Sequence, residues 1–378
     1  MTPPSTRPAK ARYIMIGGFL GAGKTTAVGA LAQRLTQAGL RVGLITNDQG
    51  SELVDTATLR SRGFAAEEIP GGCFCCRFDS LVQAADRLTV ETQPDVFIAE
   101  PVGSCTDLVA TVSYPLRRMY GAQFTVAPFS VLVDPVRAEH VLGLADGKRF
   151  SEKVLYIYRK QLEEADLIVI TKNETVEPAR IAALRTRLAR EFPNAQVLDV
   201  SVRVGTNLNE WFDLIETGVA GSRPAMEVDY GVYAEGEALL GWLNATLQLS
   251  GREPFDANHV LEVLARGIQT RLPGVEIAHL KMTFSPPAGL GDLAVINLVR
   301  SDLVPELSMR IEEPVESGQL IVNLRAEAAP DLLETAVRAA AEQLARDLRG
   351  ISARLEHLES FRPGKPEPTH RLLSPIEA

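Results

Sequence analysis

Residues 17–26 read "GGFLGAGKTT" and lie between a strand-length apolar run, "YIMIG", and a stretch in which Val28, Leu31 and Leu35 recur at helical spacing. The pattern Gly18-x-x-x-x-Gly23-Lys24-Thr25 in a strand-to-helix turn is that of a P-loop, and it limits the fold more than any other feature of the chain. Its backbone N–H groups must converge on phosphate oxygens with the positive end of a helix dipole behind them. Gly18, Gly21, Ala22 and Gly23 are expected to form that cradle, with Lys24 reaching the β and γ phosphates, Thr26 beside them, and the Thr25 hydroxyl offered to Mg²⁺. The alternative is turn chemistry alone, a glycine-rich link with no ligand.

The surrounding sequence agrees with the turn. Apolar runs at 13–17, 42–46, 95–99, 129–134, 166–171 and 195–200 are Val- and Ile-rich and apolar on both faces, as strands between two helical layers must be. Helical stripes separate them, among them Phe78, Leu81, Val82, Ala85 and Leu88. The fold class is therefore α/β, a P-loop NTPase with a mostly parallel sheet flanked by helices, and ligands are expected at the carboxyl ends of its strands. After a Gly- and Pro-containing linker at 217–226 the pattern changes. Helices are expected near 235–249 and 256–272, the second capped by Asp256, then strands near 276–284, 292–299 and 318–325, a helix from Pro330 to Arg349 and a last strand at 353–361. The expected organisation is a flexible N-terminus at 1–11, a P-loop domain at 12–220, a smaller C-terminal α+β domain at 228–361 and a disordered, proline-rich tail at 362–378. His279 and Lys281 alternate on one of the later strands and read as an exposed sheet face.

Two acidic residues suit metal-assisted phosphoryl transfer. Asp48 and Glu100 end strands on the ligand edge; either can hold Mg²⁺, and Glu100 can also orient an attacking water. The alternative for Asp48 is the capping of a turn. Gly103, in "EPVG", is placed to offer its N–H to a γ-phosphate. For the base, "TKNE" at 171–174 stands where a guanine reader would be. Thr171, the stem of Lys172 and the carboxylate of Glu174 are expected on the base, with Ser201 from the next strand end. Otherwise Lys172 and Glu174 are solvated loop charges.

A net charge of −9 and a pI of about 5.3 argue against general affinity for nucleic acid. No run approaches the roughly 18 apolar residues of a membrane span, and the first residues lack the apolar core of a secretory signal, so a cytoplasmic location without membrane attachment is expected. Three of the four cysteines fall in "GGCFCC", Cys73, Cys75 and Cys76. Three thiolates there can converge on one soft cation if Gly71 and Gly72 let the backbone turn. A redox site and plain core packing are the other readings, and adjacent Cys75 and Cys76 would make a strained disulfide. Zn²⁺, Co²⁺ and Ni²⁺ all suit such a site. Cys105 is a candidate fourth ligand or else a small buried residue.

In order, "GGFLGAGKTT", "EIPGGCFCC", "AEPVG", "QLEEADLIVITKNE" and "SVRVGTNLNEW" resemble the CobW-like metal-chaperone GTPases, relatives of the urease and hydrogenase nickel-accessory GTPases in the SIMIBI class. The resemblance covers about residues 12–215. It implies GTP hydrolysis coupled to delivery of a transition metal, with the family's cysteine motif on Cys73, Cys75 and Cys76, its P-loop on 18–26 and its Glu-x-x-Gly glutamate on Glu100. "TND" at 46–48 is similar to the urease accessory segment whose aspartate serves Mg²⁺. The chain departs from the family in "TKNE" and in lacking a histidine-rich stretch. Expected partners are GTP or GDP, a client apo-metalloprotein and a second copy of the chain as a homodimer. Two other readings stay open: an ATP-using phosphotransferase with structural cysteines, and a nucleotide-dependent adaptor without turnover.

Overall fold

The structure, a computed structural model, describes residues 10–47, 59, 63–147, 149–287 and 293–375. Asp48 lies outside the described residues. The first sheet is built from β1 (Ala11–Gly18), β2 (Val42–Asn47), β3 (Ala65–Ile69), β4 (Val96–Glu100), β5 (Phe124–Val126), β6 (Ser130–Val133), β7 (Leu167–Ile170) and β8 (Gln196–Asp199). Its order is β3-β2-β4-β1-β6-β7-β8, every neighbouring pair is parallel, and β5 pairs with the start of β1 while β6 takes its end. Strands β2 to β4 lie on one side of β1 and β5 to β8 on the other. The chain thus changes sides at β1, and the crevice this opens lies at its carboxyl end, where the P-loop begins.

Both faces of the sheet are buried, for the reason the apolar runs gave. Tyr13 and Met15 of β1 join one core with Phe78, Leu81 and Leu88 of α2 (Phe78–Thr92); Ile14 and Ile16 join the other with Val28, Leu31 and Leu35 of α1 (Lys24–Gln37). The layers are completed by α3 (Tyr114–Met119), α4 (Pro135–Val141), α5 (Glu152–Glu164), α6 (Pro178–Glu191) and α7 (Leu208–Thr217). A single π-turn, Val109–Ser113, precedes α3. Two strands of this sheet escaped the sequence reading. β3 carries Glu67 and Glu68 because it is the sheet edge, where charges are tolerated, and β5 is three residues long. β1 starts at Ala11, inside the segment expected to be flexible.

The second sheet is antiparallel, in the order β12-β11-β10-β13-β9-β14. Its elements are α8 (Tyr230–Leu239), β9 (Leu240–Phe255), α9 (Ala257–Thr270), β10 (Ile277–Ser285), β11 (Ala294–Leu298), β12 (Glu306–Met309), β13 (Val315–Glu327), α10 (Pro330–Asp347) and β14 (Ile351–Phe361). The Asp256 carboxylate accepts from the N–H groups of Asn258 and His259, as its capping role requires. The helix expected over 235–249 stops at Leu239. From there Leu243, Ala245, Leu247 and Leu249 alternate into the core with Val260, Leu264 and Val337, so a period of two overrides the helical reading. Helices α9 and α10 cover one face of this sheet; the other turns toward the first domain, where Trp242 and Ala278 join the core of Tyr13 and Phe78.

The tail corrects another expectation. Residues 362–375 have no regular secondary structure, but they hold a fixed path against the first domain, with Thr369 N–H donating to Cys75 O at 2.8 Å and Leu372 N–H to Ala110 O at 2.9 Å. Its prolines prevent a ladder but leave an extended chain that other groups can hold. Among the described residues no helix is long and apolar enough to cross a membrane.

Candidate functional site

The P-loop leaves β1 at Gly18, whose φ of 125° and whose contact with β6 exclude a side chain: a Cβ there would lie 2.3 Å from Leu132 O. Gly23 takes the left-handed conformation immediately before α1. The buried Lys24 ammonium donates to Gly18 O at 2.9 Å and reaches Phe19 O at 3.5 Å, so it already lies in the mouth of the loop. Thr25 Oγ1 donates to Glu100 Oε1 at 3.0 Å. The sequence placed these two around Mg²⁺, and the fold brings them together as a pair of oxygen donors suited to a hard cation.

These residues line a cavity of about 910 Å³ with Gly21, Gly23, Thr26, Asn47, Gly103, Thr171, Lys172 and Glu174. Ala22, by contrast, meets this group through its backbone, its carbonyl accepting from Thr171 Oγ1 at 2.8 Å. Lys172 Nζ donates to Gly21 O and to Asp134 Oδ2, both at 2.9 Å. Thus Thr171 and Lys172 brace the P-loop, so Lys172 is more than a solvated loop charge, whereas Glu174 is exposed on the cavity wall. Ser201 is buried, and its hydroxyl accepts from Val204 N–H at 3.0 Å. It shapes the loop that carries Val202 and Arg203 to the cavity and is not itself on the wall.

The opposite wall comes from the second domain. His279 and Lys281 of β10, Asn297 of β11, and Asn323 and Arg325 of β13 all line the cavity, whereas Leu280, Met282 and Phe284 between them point into the core. The exposed face expected for His279 and Lys281 is therefore corrected, since their strand face roofs the cavity and Lys281 is only 7% exposed.

The thiols follow β3 at the edge of the sheet and pack in the core that also holds Phe19 and Leu20 of the P-loop. Gly71 and Gly72 both adopt positive φ, and the turn that follows brings Cys73 Sγ to 2.7 Å from Cys75 Sγ and 3.2 Å from Cys76 Sγ, with 3.7 Å between the last two. All four cysteines are free thiols. The Cys73, Cys75 and Cys76 sulfurs fall within 4.8 Å of one another, while Cys105 stands outside that trio, buried in the same core. A tetrahedral ion with metal–sulfur bonds of about 2.3 Å would hold its sulfurs about 3.8 Å apart, so slight spreading of the trio accommodates one.

A family model described as CobW/HypB/UreG, nucleotide-binding domain, matches residues 12–199, which hold the P-loop, all four cysteines, Glu100 and the "TKNE" segment. Residues 12–199 are a CobW/HypB/UreG nucleotide-binding domain. A zinc chaperone CobW from Sinorhizobium sp is 29% identical over 211 residues, 50% of this chain and 58% of that protein. The zinc chaperone YeiR of Escherichia coli strain K12 is 29% identical over 177 residues, 46% of this chain and 50% of its own length. The chain thus spans little more than half the length of these curated relatives. The crystal structure of Zn(II)-bound YjiA GTPase from E. coli aligns over 89% of this chain and 99% of that one, with 17% identity and a TM-score of 0.33.

Within the CobW/HypB/UreG domain, three residues bear on the site without having been singled out in the sequence. Asn47 lines the nucleotide cavity and donates through Nδ2 to Gly72 O at 2.6 Å, beside the cysteines. Burial pushes the Asp134 carboxyl up, but the Lys172 ammonium and the Arg137 N–H outweigh it and hold it below the usual range. The fully buried Arg137 guanidinium lies over Phe150 and donates to the carbonyls of Val299, Ala278 and Ile277 in the second domain. An "NDQG" or "DPVR" stretch offers no motif; only the pairing across elements reveals these roles. At the thiols, hydrogen bonds from Cys105, then from Cys75 and Cys76, hold Cys73 well below the ordinary thiol range. Its bond to Cys73 is first among the causes that push Cys76 up to about 11, Cys75 is raised by the same partner, and burial raises Cys105.

Proposed function

We propose that the chain is a GTP-hydrolysing metallochaperone whose nucleotide state sets how firmly Cys73, Cys75 and Cys76 hold a transition-metal cargo. One observation carries this reading: the six residues from Glu100 to Cys105 touch both sites. Glu100 pairs with Thr25 at the P-loop, Gly103 lines the same cavity, and Cys105 is buried in the core that holds Cys73 and Cys75 and acts on the Cys73 thiol. Gln161 Nε2 clamps the segment by donating to Gly103 O at 3.0 Å and Cys105 O at 2.9 Å. Asn47 makes a second link, from the cavity to Gly72.

In this reading Lys24 neutralises charge on the β and γ phosphates, and the P-loop N–H groups orient them for attack by water, giving GDP and phosphate. Thr25 and Glu100 would hold Mg²⁺, which supplies further neutralisation of phosphate charge when bound; Asp48 is proposed as its other carboxylate. Glu100 also orients the water. Gly103 N–H reads the γ-phosphate, and its loss on hydrolysis releases the segment that carries Cys105. Glu174, on the cavity wall, accepts from guanine N1 and N2 donors that adenine lacks. The cargo is Zn²⁺, Co²⁺ or Ni²⁺, of which zinc is named for the curated relatives, and it passes to a client metalloprotein.

Metal affinity measured with bound GDP and with a non-hydrolysable GTP analogue tests the coupling. A difference of about tenfold or more, the size of a typical allosteric coupling, is expected; equal affinities would remove the mechanism. Displacement of GDP by ATP at a concentration similar to GTP would overturn the guanine assignment.

A further inference from the structure

The cysteine site is covered by the other end of the chain. Glu367 N–H donates to Cys76 Sγ at 3.2 Å, Thr369 N–H to Cys75 O at 2.8 Å, and Thr369 Oγ1 to Cys76 O at 3.2 Å. The His370 ring stands edge-on to Phe78, with centroids 5.1 Å apart, and Leu372 N–H closes on Ala110 O. The segment is fastened by Arg371, whose Nε donates to Asp107 Oδ2 at 2.7 Å and which also donates to Met226 O at 2.8 Å.

We propose that this channel, running from Cys75 and Cys76 past Asp107 to Ala110, is the surface on which a client protein lays an extended segment bearing a metal-binding side chain, and that residues 367–372 occupy it as a stand-in. The inference rests on the metallochaperone reading above. Three features carry it. First, Cys73 and Cys75 are buried and Cys76 is half-buried beside the strap, so an incoming ligand cannot meet all three sulfurs until something moves. Second, the contacts to Cys75, Cys76 and Ala110 are made mainly by the strap's backbone N–H groups, which any extended peptide carries; Pro366 and Pro368 keep the strap itself out of a permanent ladder. Third, its principal side-chain fastening is to Asp107, two residues beyond Cys105 on the loop that also holds Gly103, so the same displacement that reports the nucleotide loosens the strap. Transfer is then ligand exchange without redox change. Each metal–sulfur bond that breaks is replaced by one to the incoming donor, and a proton lost by an incoming thiol returns to the thiolate it replaces.

The test uses full-length protein loaded with Zn²⁺, with 4-(2-pyridylazo)resorcinol as metal acceptor and N-ethylmaleimide as thiol probe on the metal-free form. Arg371→Ala and, separately, Thr369→Pro are expected to raise both the rate of zinc extraction and the rate of Cys76 labelling by about tenfold, as local opening becomes easier, with zinc stoichiometry unchanged. A cysteine-free synthetic peptide of residues 363–375, added at millimolar concentration to Arg371→Ala, should slow both rates again. Wild-type rates in both variants, or no effect of the peptide on the faster ones, would overturn the proposal. Failure of the wild-type chain to bind zinc, cobalt or nickel would instead overturn the metallochaperone reading.

Discussion

The P-loop cradle follows β1 and the thiol cluster follows β3, both beyond the carboxyl ends of strands in one sheet, and they are assembled differently. The cradle's shape comes from a few consecutive residues: Gly18, Gly23 and Lys24 fix it through local backbone geometry, and the second domain only adds a wall. The thiols are also consecutive, yet what decides their access lies 291 residues away, where Glu367 meets Cys76. A site built from local backbone works wherever its loop is intact, whereas a site covered by a distant segment can be opened without being dismantled. That difference is what separates holding a substrate from releasing a cargo.

The largest effect should fall on the cradle. Lys24→Ala removes the cation that faces the transferred phosphoryl group, and GTP turnover should drop by about 10²–10³-fold, the usual cost of losing a preorganised charge in such a site. Zinc stoichiometry should stay unchanged, because the thiols do not touch Lys24 and the proposed coupling sets how firmly they hold a metal, not how many ions they take. A parallel loss of zinc would break the comparison and make the two sites one. Phosphate release and elemental analysis on the same preparation decide it.

At the thiols the next effect is a pH slope. Cys76 is pushed up to about 11 and Cys75 is also raised, so near neutral pH binding must displace the protons of both. Zinc affinity should then rise with pH by about a hundredfold per unit between pH 6 and 8, since every proton released contributes about tenfold. Cys76→Ser should cut the slope to about tenfold per unit. Competition against a chelator of known protonation measures both, and an unchanged slope would mean that Cys76 keeps its proton and is no ligand.

Much of the cradle was legible because its chemistry is sequential. Strand, glycines, Lys24 and Thr25 follow one another, and the apolar runs gave six of the parallel strands. The Thr25–Glu100 pair followed from the P-loop motif, which offers Thr25 to Mg²⁺, and from Glu100 ending a strand on the ligand edge. What escaped is what sequence order does not encode. The run "LNATLQLS" has both Leu spacing that suits a helix and an alternation that suits a strand, and only the neighbouring strands β13 and β14 decide for β9. His279 and Lys281 read as a solvated face because nothing local says that another domain lies opposite. The tail's prolines excluded regular structure, which is not the same as excluding a fixed position. Asp48, expected on Mg²⁺, falls outside the described residues.

The wall shared by the two domains offers a third test. Arg137 is buried and bonds to the carbonyls of Val299, Ala278 and Ile277, so Arg137→Ala leaves polar groups without their charged donor and should cost about 2 kcal/mol. If the second domain is a true part of the cradle, this loss should also weaken GDP binding although Arg137 does not line the cavity. Denaturant unfolding and GDP titration read the two effects separately; lost stability with intact GDP affinity would reduce the second domain to a support.

The smallest effect should come from the rim. Arg203 pairs with Glu306 across the same interface, but both side chains are about 60% exposed, and an exposed ion pair gains little because water and salt screen it. Arg203→Ala should change stability by no more than about 0.5 kcal/mol, and GDP release should speed up by less than about threefold, since this shift corresponds to that same small energy. The contrast with Arg137 is the point of the measurement: identical charge, the same two domains, opposite burial. If release instead accelerates tenfold while Arg137→Ala leaves it unchanged, the domains are held over the nucleotide by their rim, and the cavity opens from its edge rather than by separation of the buried contact at Val299.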